Sequence, residues 1–392
     1  MTEVLTAGTV LTGSAAIPDG VVVVSERKIA WVGSEVDLPP EYAGIHRSNY
    51  PDSTIMPGMI DTHVHLAFDG GLDPVARMRA EDDRQQLVLM LHNASALLSA
   101  GVTTARDLGA RSFLDVTVRD SIDQGIAYGP RMLVTGPPVT ITGGHCWFMG
   151  GEADSLDDIR KIVRTHHREG VDLIKVMSSG GMMTKGSLPW INQYTDEHMK
   201  VIVDEARVLG MKVAAHAHGT DAVRLAVDAG VSTLEHCTFV NEDHRHVFDR
   251  ELAVKIAAAG IFVCPTINLN AETYSERFGT KIGENLPEMK RLGISIVAGT
   301  DAGIVNTPHD EYAGGLEYLA SLGFSNEEVI AMATRDAAEA LGIAGTTGRL
   351  EADFDADLLV VDGDPRADIS VVRRLSRIIA RGRDYPVINQ PR

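Results

Sequence analysis

The chain has 392 residues, a formal net charge of −18, 44% hydrophobic residues and 23% charged residues. That balance is ordinary for a globular protein and excludes disordered and fibrous classes. The acidity argues against nucleic acid or an anionic membrane surface as a partner. No apolar run reaches the ~18 residues of a membrane span, and no basic stretch ahead of an apolar run marks a signal peptide. Cys146, Cys237 and Cys264 form no CxxC pair. A disulfide framework is not expected and a cytoplasmic location is.

Residues 1–54 read as short β-branched strands broken by Gly and Pro, as in VLTAGTVLTG and GVVVVSERKIAWVGS. Residues 344–392 read similarly, with ADLLVVDGD and SRIIARGR. Neither end can bury a core alone, so both are expected to join one small β-sandwich domain. Between them, 55–343 alternates candidate strands with amphipathic stretches. The strands are expected at 55–63, 102–107, 131–136, 171–178, 212–217, 231–236, 260–265 and 294–300. Several intervening helices end in Gly just before the next strand, the usual residue after a helix C-terminus. Ser325 and Glu328 form a capping box for a last helix expected to run to Gly342. Eight strand–helix units predict a (β/α)8 TIM barrel in the α/β class. A doubly wound sheet is the alternative, but no glycine-rich phosphate loop follows an early strand.

Barrel active sites lie at the C-terminal strand ends, so polar residues there carry the functional reading. The first strand ends Asp61-Thr-His63-Val-His65, and residues two apart share a face. The fourth holds Lys175 in the apolar run VDLIKVMSSGG; the fifth ends His216-Ala-His218, the sixth Glu235-His236 and the eighth Gly299-Thr300-Asp301. Taken singly, a His at a strand end is more often a hydrogen-bonded core residue, and a strand Lys usually reaches out to solvent. Taken together they would fill a barrel mouth with desolvated polar groups, which is costly unless something pairs them. Divalent cations answer that, and imidazole with carboxylate suits zinc.

PGMIDTHVHL, Lys175, VAAHAHG, STLEHCT and AGTDAG, in that order, resemble the binuclear amidohydrolase superfamily over nearly the whole chain. TGGH at 142–145, SGGMMTKG at 179–186 and MATRDAAEALG at 332–342 are similar to its imidazolonepropionase-like and Xaa-Pro dipeptidase (prolidase) branch. The resemblance implies two divalent metal ions, zinc by preference. His63, His65 and Asp301 would hold the more buried ion and His216 and His236 the more exposed one, with Lys175 bridging both as a CO2-derived carbamate. It implies a hydrolase of a C–N bond in a small molecule such as a dipeptide, N-acyl amino acid, carbamate or urea. A hydroxide between the metals would attack, and Asp301 would shuttle its proton to the leaving amine. His145 would donate to the oxyanion, and relatives suggest a homo-oligomer. A mononuclear deaminase or imidazolone-type cyclic amide hydrolase is the alternative. Lys175, and the absence of HxxE in HAHGTDA, weigh against it. A non-catalytic barrel relative is the remaining reading, and the complete ligand set argues against it.

His218 stands where some dipeptidase relatives carry Tyr, so it is expected either to contact substrate or to support a metal ligand. Tyr194, Trp190, Met182 and Met183 are expected to wall the pocket, with Tyr194 and Met183 as substrate contacts. His309 reads as a surface-loop residue, and His166, His167, His198, His244 and His246 as solvated helical ones. Arg106 and Asp107 read as an ion pair in the barrel floor, and Cys237 and Cys264 as small buried fillers.

Overall fold

Glycines and prolines punctuate the chain into fourteen strands among the residues described, 2–387, of the computed structural model. Met1 and 388–392, the outer tips of the expected terminal segments, lie outside the described residues. Four strands precede the alternating region: β1 (Thr2–Leu11), β2 (Ala16–Ser25), β3 (Lys28–Ser34) and β4 (Arg47–Pro57). Seven lie within it: β5 (Met59–Val64), β6 (Val102–Asp107), β7 (Arg131–Val134), β8 (Leu173–Met177), β9 (Lys212–Gly219), β10 (Thr233–Val240) and β11 (Phe262–Cys264). Three follow it: β12 (Leu358–Asp362), β13 (Leu375–Ala380) and β14 (Arg383–Tyr385).

Strands from both ends share one sheet, in the order β14-β13-β12-β4-β1-β2-β3. Its pairs are antiparallel except β1 with β4. One face buries Leu5, Val10, Val22, Ile55, Leu358 and Val360. The inner strands are parallel, in sheets β5-β6-β7 and β8-β9-β10-β11. Their near-continuous burial fits strands covered on both faces.

Several strand ends shift from the expectation by one to four residues, and two differences change the architecture. The run 55–63 divides at Gly58, its first part completing β4 and its second forming β5. A Cβ on Gly58 would lie 2.0 Å from Thr103 Oγ1, so only glycine fits the corner. The expected eighth strand, 294–300, forms a parallel bridge, Ile296 with Val263, rather than a ladder, and Ala302 just beyond it bridges Val64. Its backbone still bonds on both sides. Val297 N donates to Val263 O (3.0 Å), and Thr62 N donates to Ala298 O (3.2 Å).

Helices cover the parallel strands. Leu156–Glu169 carries a Ser155–Asp158 capping box and ends at Gly170 in the left-handed region. The expected last helix is broken in two, Asn326–Met332 and Arg335–Leu341. The Ser325–Glu328 box is present, but Thr334 leaves helical geometry (φ −137°, ψ −93°). The break frees carbonyls that the inner backbone uses: Ile60 N donates to Ala333 O (2.7 Å) and Ala298 N to Met332 O (3.1 Å). Among the described residues, no helix is long and apolar enough to cross a membrane.

Candidate metal centre

The parallel strands present their C-terminal ends to a cavity of about 790 Å3. His63 from β5, His65 just past its end, Lys175 from β8, His216 and His218 from β9, His236 from β10 and Asp301 all line it. His145 and Met183 reach it from loops after β7 and β8.

Asp301 Oδ1 lies 3.1 Å from His65 Nε2 and 3.4 Å from His63 Nε2. Burial opposes ionisation of Asp301, and the hydrogen bond from His65 Nε2 favours its carboxylate form. The His63 and His236 ring centroids are 5.3 Å apart, those of His216 and His236 4.5 Å. His218 stacks on His236 at 4.3 Å. Two donor groupings have ligand atoms within 4.8 Å of one another here: His63 with His236 and Asp301, and His216 with His218 and His236.

Thr266 Oγ1 donates to Pro265 O (2.8 Å), so it accepts from His236 Nδ1, also at 2.8 Å. The His236 Nε2 lone pair is thereby left for a cation. Thr238 works the same way on His218. Its hydroxyl donates to His218 O (3.3 Å) and lies 3.1 Å from His218 Nδ1. Burial keeps these imidazoles neutral: His63 and His218 are pulled down to about 4 and His145 to about 3. Neutral imidazole is the form that binds metals.

Lys175 is the least satisfied group. It is 1% exposed, and its amine has no hydrogen-bond partner among the described residues. Burial lowers its pKa, which favours the free amine. An orphan buried amine is costly, and a site of imidazoles, a carboxylate and such an amine fits divalent cations.

Backbone strain shapes the centre. His236 (φ 69°), Thr266 (φ 53°) and Asp301 (φ 60°) lie in the left-handed region. Each such residue stores of order 1–3 kcal/mol, and such outliers cluster at functional sites. The β9–β10 register also slips between His236 and Val240, a bulge that re-aims the His236 side chain. At Gly303 (φ 103°) a Cβ would lie 2.3 Å from His65 O. Gly303→Ala is expected to lower stability by more than about 1 kcal/mol and to reduce metal loading by displacing His65. Urea unfolding with metal analysis checks this; an unchanged midpoint and metal content would show that the backbone relaxes freely.

His145 is set by two loops. Its backbone N–H donates to Gln193 Oε1, and Cys146 N donates to Thr184 Oγ1 (2.9 Å). A Cβ on Gly181 would lie 2.4 Å from His145 Nε2, so the glycine leaves room for the ring. His145 stands 4.7 Å from His216, centroid to centroid.

Several expected placements are corrected. Tyr194 does not line the cavity; it is buried, and its hydroxyl donates to Ala153 O (2.8 Å). Trp190 likewise packs edge-on to His244 (4.8 Å) instead of lining the cavity. His244 and His246 lie in a loop and line the cavity. His309 is buried and donates from Nε2 to His65 O (3.2 Å). His166 is buried between two carbonyls, Ile162 O (2.8 Å) and Pro137 O (2.7 Å). Arg106 does not pair with Asp107. Adjacent strand residues face opposite ways, and Arg106 Nη2 meets Glu235 Oε1 at 2.8 Å, while Asp107 accepts backbone N–H groups from Gly109 and Leu66. Neither the buried pairing of Glu235 nor the burial of His309 is expected from the sequence. Opposite charges in two apolar strands were a usable signal for the first; nothing local marked the second. Cys237 and Cys264 are buried and free, as fillers should be.

The amidohydrolase family model matches residues 54–384. Ochratoxinase of Aspergillus niger is 27% identical, the alignment covering 94% of this chain and 82% of the relative. Imidazolonepropionase of Paracoccus denitrificans is 24% identical, covering 89% of each. The crystal structure of a Xaa-Pro dipeptidase with methionine bound in its active site superposes with a TM-score of 0.88 at 25% identity, covering 98% of this chain and 100% of that one. Strand ends that converge on one imidazole-rich cavity, together with a family match over most of the sequence, give one conclusion: the chain belongs to the amidohydrolase family and is a hydrolase acting on carbon–nitrogen bonds.

Proposed function

We propose that the chain is a binuclear metal-dependent hydrolase that cleaves an amide-type C–N bond of a small molecule: a dipeptide, N-acyl amino acid, carbamate or urea. The observation that carries this reading is the unpartnered, buried Lys175 amine lining one cavity with His63, His65, His216, His236 and Asp301. An ammonium there would repel cations. A carbamate, formed when the free amine adds CO2 and releases a proton, would be an anionic bidentate ligand. His63, His65 and Asp301 would hold one ion and His216 and His236 the other, with carbamylated Lys175 shared. Zinc suits this donor set.

Bound divalent cations lower the pKa of water and polarise a carbonyl oxygen. The chain's residues do the rest. Asp301, 3.1 Å from His65 Nε2, accepts the proton of the attacking water and delivers it to the leaving amine. His145, neutral and buried beside His216, donates to the developing oxyanion. His218 and Met183 flank the substrate. The architecture we assign is a closed (β/α)8 barrel, 55–343, with a β-sandwich domain from 1–54 and 344–392. The bridges at Val139–Val176, Val263–Ile296 and Val64–Ala302 support closure. A cytoplasmic homo-oligomer without nucleic-acid or membrane partners completes the reading.

Metal analysis with a screen of dipeptides, N-acyl amino acids, carbamates and lactams tests the function. Two metals per chain and turnover of one class support it; one metal with an unmodified Lys175 favours a mononuclear deaminase. His145→Ala is expected to lower kcat about 10²–10³-fold with little change in KM, as removal of an oxyanion donor does. Steady-state kinetics decide this, and a rise in KM alone would make His145 a substrate-holding residue.

A further inference from the structure

His63 faces two ways. Its Nε2 points to the cavity, 3.3 Å from His65 Nε2 and 3.4 Å from Asp301 Oδ1. Its Nδ1 lies 2.8 Å from Glu235 Oε2, at 0% exposure of the carboxylate. Behind Glu235 stands Arg106, 1% exposed. Arg106 Nη2 donates to Glu235 Oε1 (2.8 Å), Nη1 to Thr233 Oγ1 (3.1 Å) and Nε to Thr62 O (2.6 Å). Thr233 Oγ1 donates to Glu235 Oε1 (2.6 Å). One guanidinium therefore grips both the peptide just before His63 and the carboxylate behind its ring.

We propose that Arg106, Thr233 and Glu235 form a buried lock that fixes His63 as its Nδ1–H tautomer, leaving Nε2 as its one lone pair toward the cavity. They are positioning residues: none lines the cavity. The inference rests on the metal-centre reading for the use His63 makes of that lone pair.

The physical reason is donor arithmetic. A neutral imidazole has one N–H and one lone pair. Arg106 Nη2 and the Thr233 hydroxyl both donate to Glu235 Oε1 (2.8 and 2.6 Å), and a guanidinium keeps its protons, so Glu235 stands there as an acceptor-only carboxylate. An ionised carboxylate accepts and cannot donate, so the proton beside it belongs to Nδ1. The opposite tautomer would set a lone pair against a buried anion. Thr233 spends its hydroxyl proton on Glu235, so it cannot compete for His63. His63, Glu235 and Cys264 also lie close enough to form a donor group. With the guanidinium and the Thr233 hydroxyl already on Oε1 and His63 on Oε2, Glu235 has little left for a cation. Hydrogen-bonded partners behind a ligating His orient the ring and raise its basicity, and losing them lowers metal affinity 10–100-fold.

Two measurements test this. In the full chain labelled with 15N-histidine, before and after zinc loading, the resonance lost in His63→Asn should be an Nδ1–H imidazole. An Nε2–H signal there overturns the proposal without any variant having to keep the centre intact. If no zinc binds at all, the metal-centre reading fails, while the metal-free spectrum still decides the lock. Chelator competition then compares variants. Glu235→Gln should weaken zinc at the His63 site 10–100-fold and leave the second zinc in place. The double variant Arg106→Met with Glu235→Leu removes both buried charges, so folding should be retained while the weak zinc site persists. Wild-type zinc affinity in either variant overturns the proposal, because charge balance or packing alone would then suffice.

Discussion

Lys175→Ala is expected to abolish turnover, a loss of more than about 100-fold that exceeds what removing a supporting residue brings. The Lys175 amine is buried and hydrogen-bonded to nothing among the described residues, so the fold gains little from it. Breaking a buried ion pair would lower stability by roughly 3–5 kcal/mol; here no pair is broken, and the loss should stay near that of the trimmed methylenes. A large fall in activity with a fall in stability of about 2 kcal/mol, that of the three trimmed methylenes, is the signature expected. Metal content should fall with activity, and short carboxylic acids such as propionate should restore part of both by taking the place of the carbamate oxygens. Kinetics, metal analysis and urea unfolding of one preparation measure all three. Full kcat with full metal content would refute the carbamate assignment.

Asp301→Asn should lose about 10²–10⁴-fold in kcat, the range a positioned acid–base group supplies, while keeping part of its metal. Asn is nearly isosteric and still offers an oxygen near His63 and His65, so the centre should assemble. It cannot take a proton from water or return one to an amine. The comparison has to be made at matched metal content, because His65 Nε2 and His63 Nε2 lie 3.1 and 3.4 Å from the carboxylate oxygen that is replaced. Loss of the positive φ strain is not expected, since Asn tolerates the left-handed region as Asp does. An unchanged kcat would remove Asp301 from proton transfer and leave it as a ligand only.

Both predictions concern residues visible in the sequence. His63 and His65 were legible because strand residues two apart share a face, and Lys175 because an amine inside an apolar strand needs an explanation. His216, His236 and Asp301 followed from their place at strand ends. Tyr194 and His309 show the limit. Loop side chains are aimed by what packs on them, and here Ala153 O claims the Tyr194 hydroxyl and His65 O the His309 ring. His166 sat in a charged helical stretch yet is buried against Pro137 O, because helix rotation follows contacts beyond the helix.

The sequence by itself determined which chemical groups exist, in what strand order, and which face each strand turns inward, because side-chain alternation is a local property of the backbone. Only the tertiary structure decided partners. Arg106 bonds to Glu235, 129 residues away, instead of to adjacent Asp107, since opposite faces separate neighbours and the packing of strands unites distant residues. The break at Thr334 and the left-handed turn at His236 were likewise settled by what the surrounding strands demand of the backbone. Local propensity carries no record of those long-range hydrogen bonds.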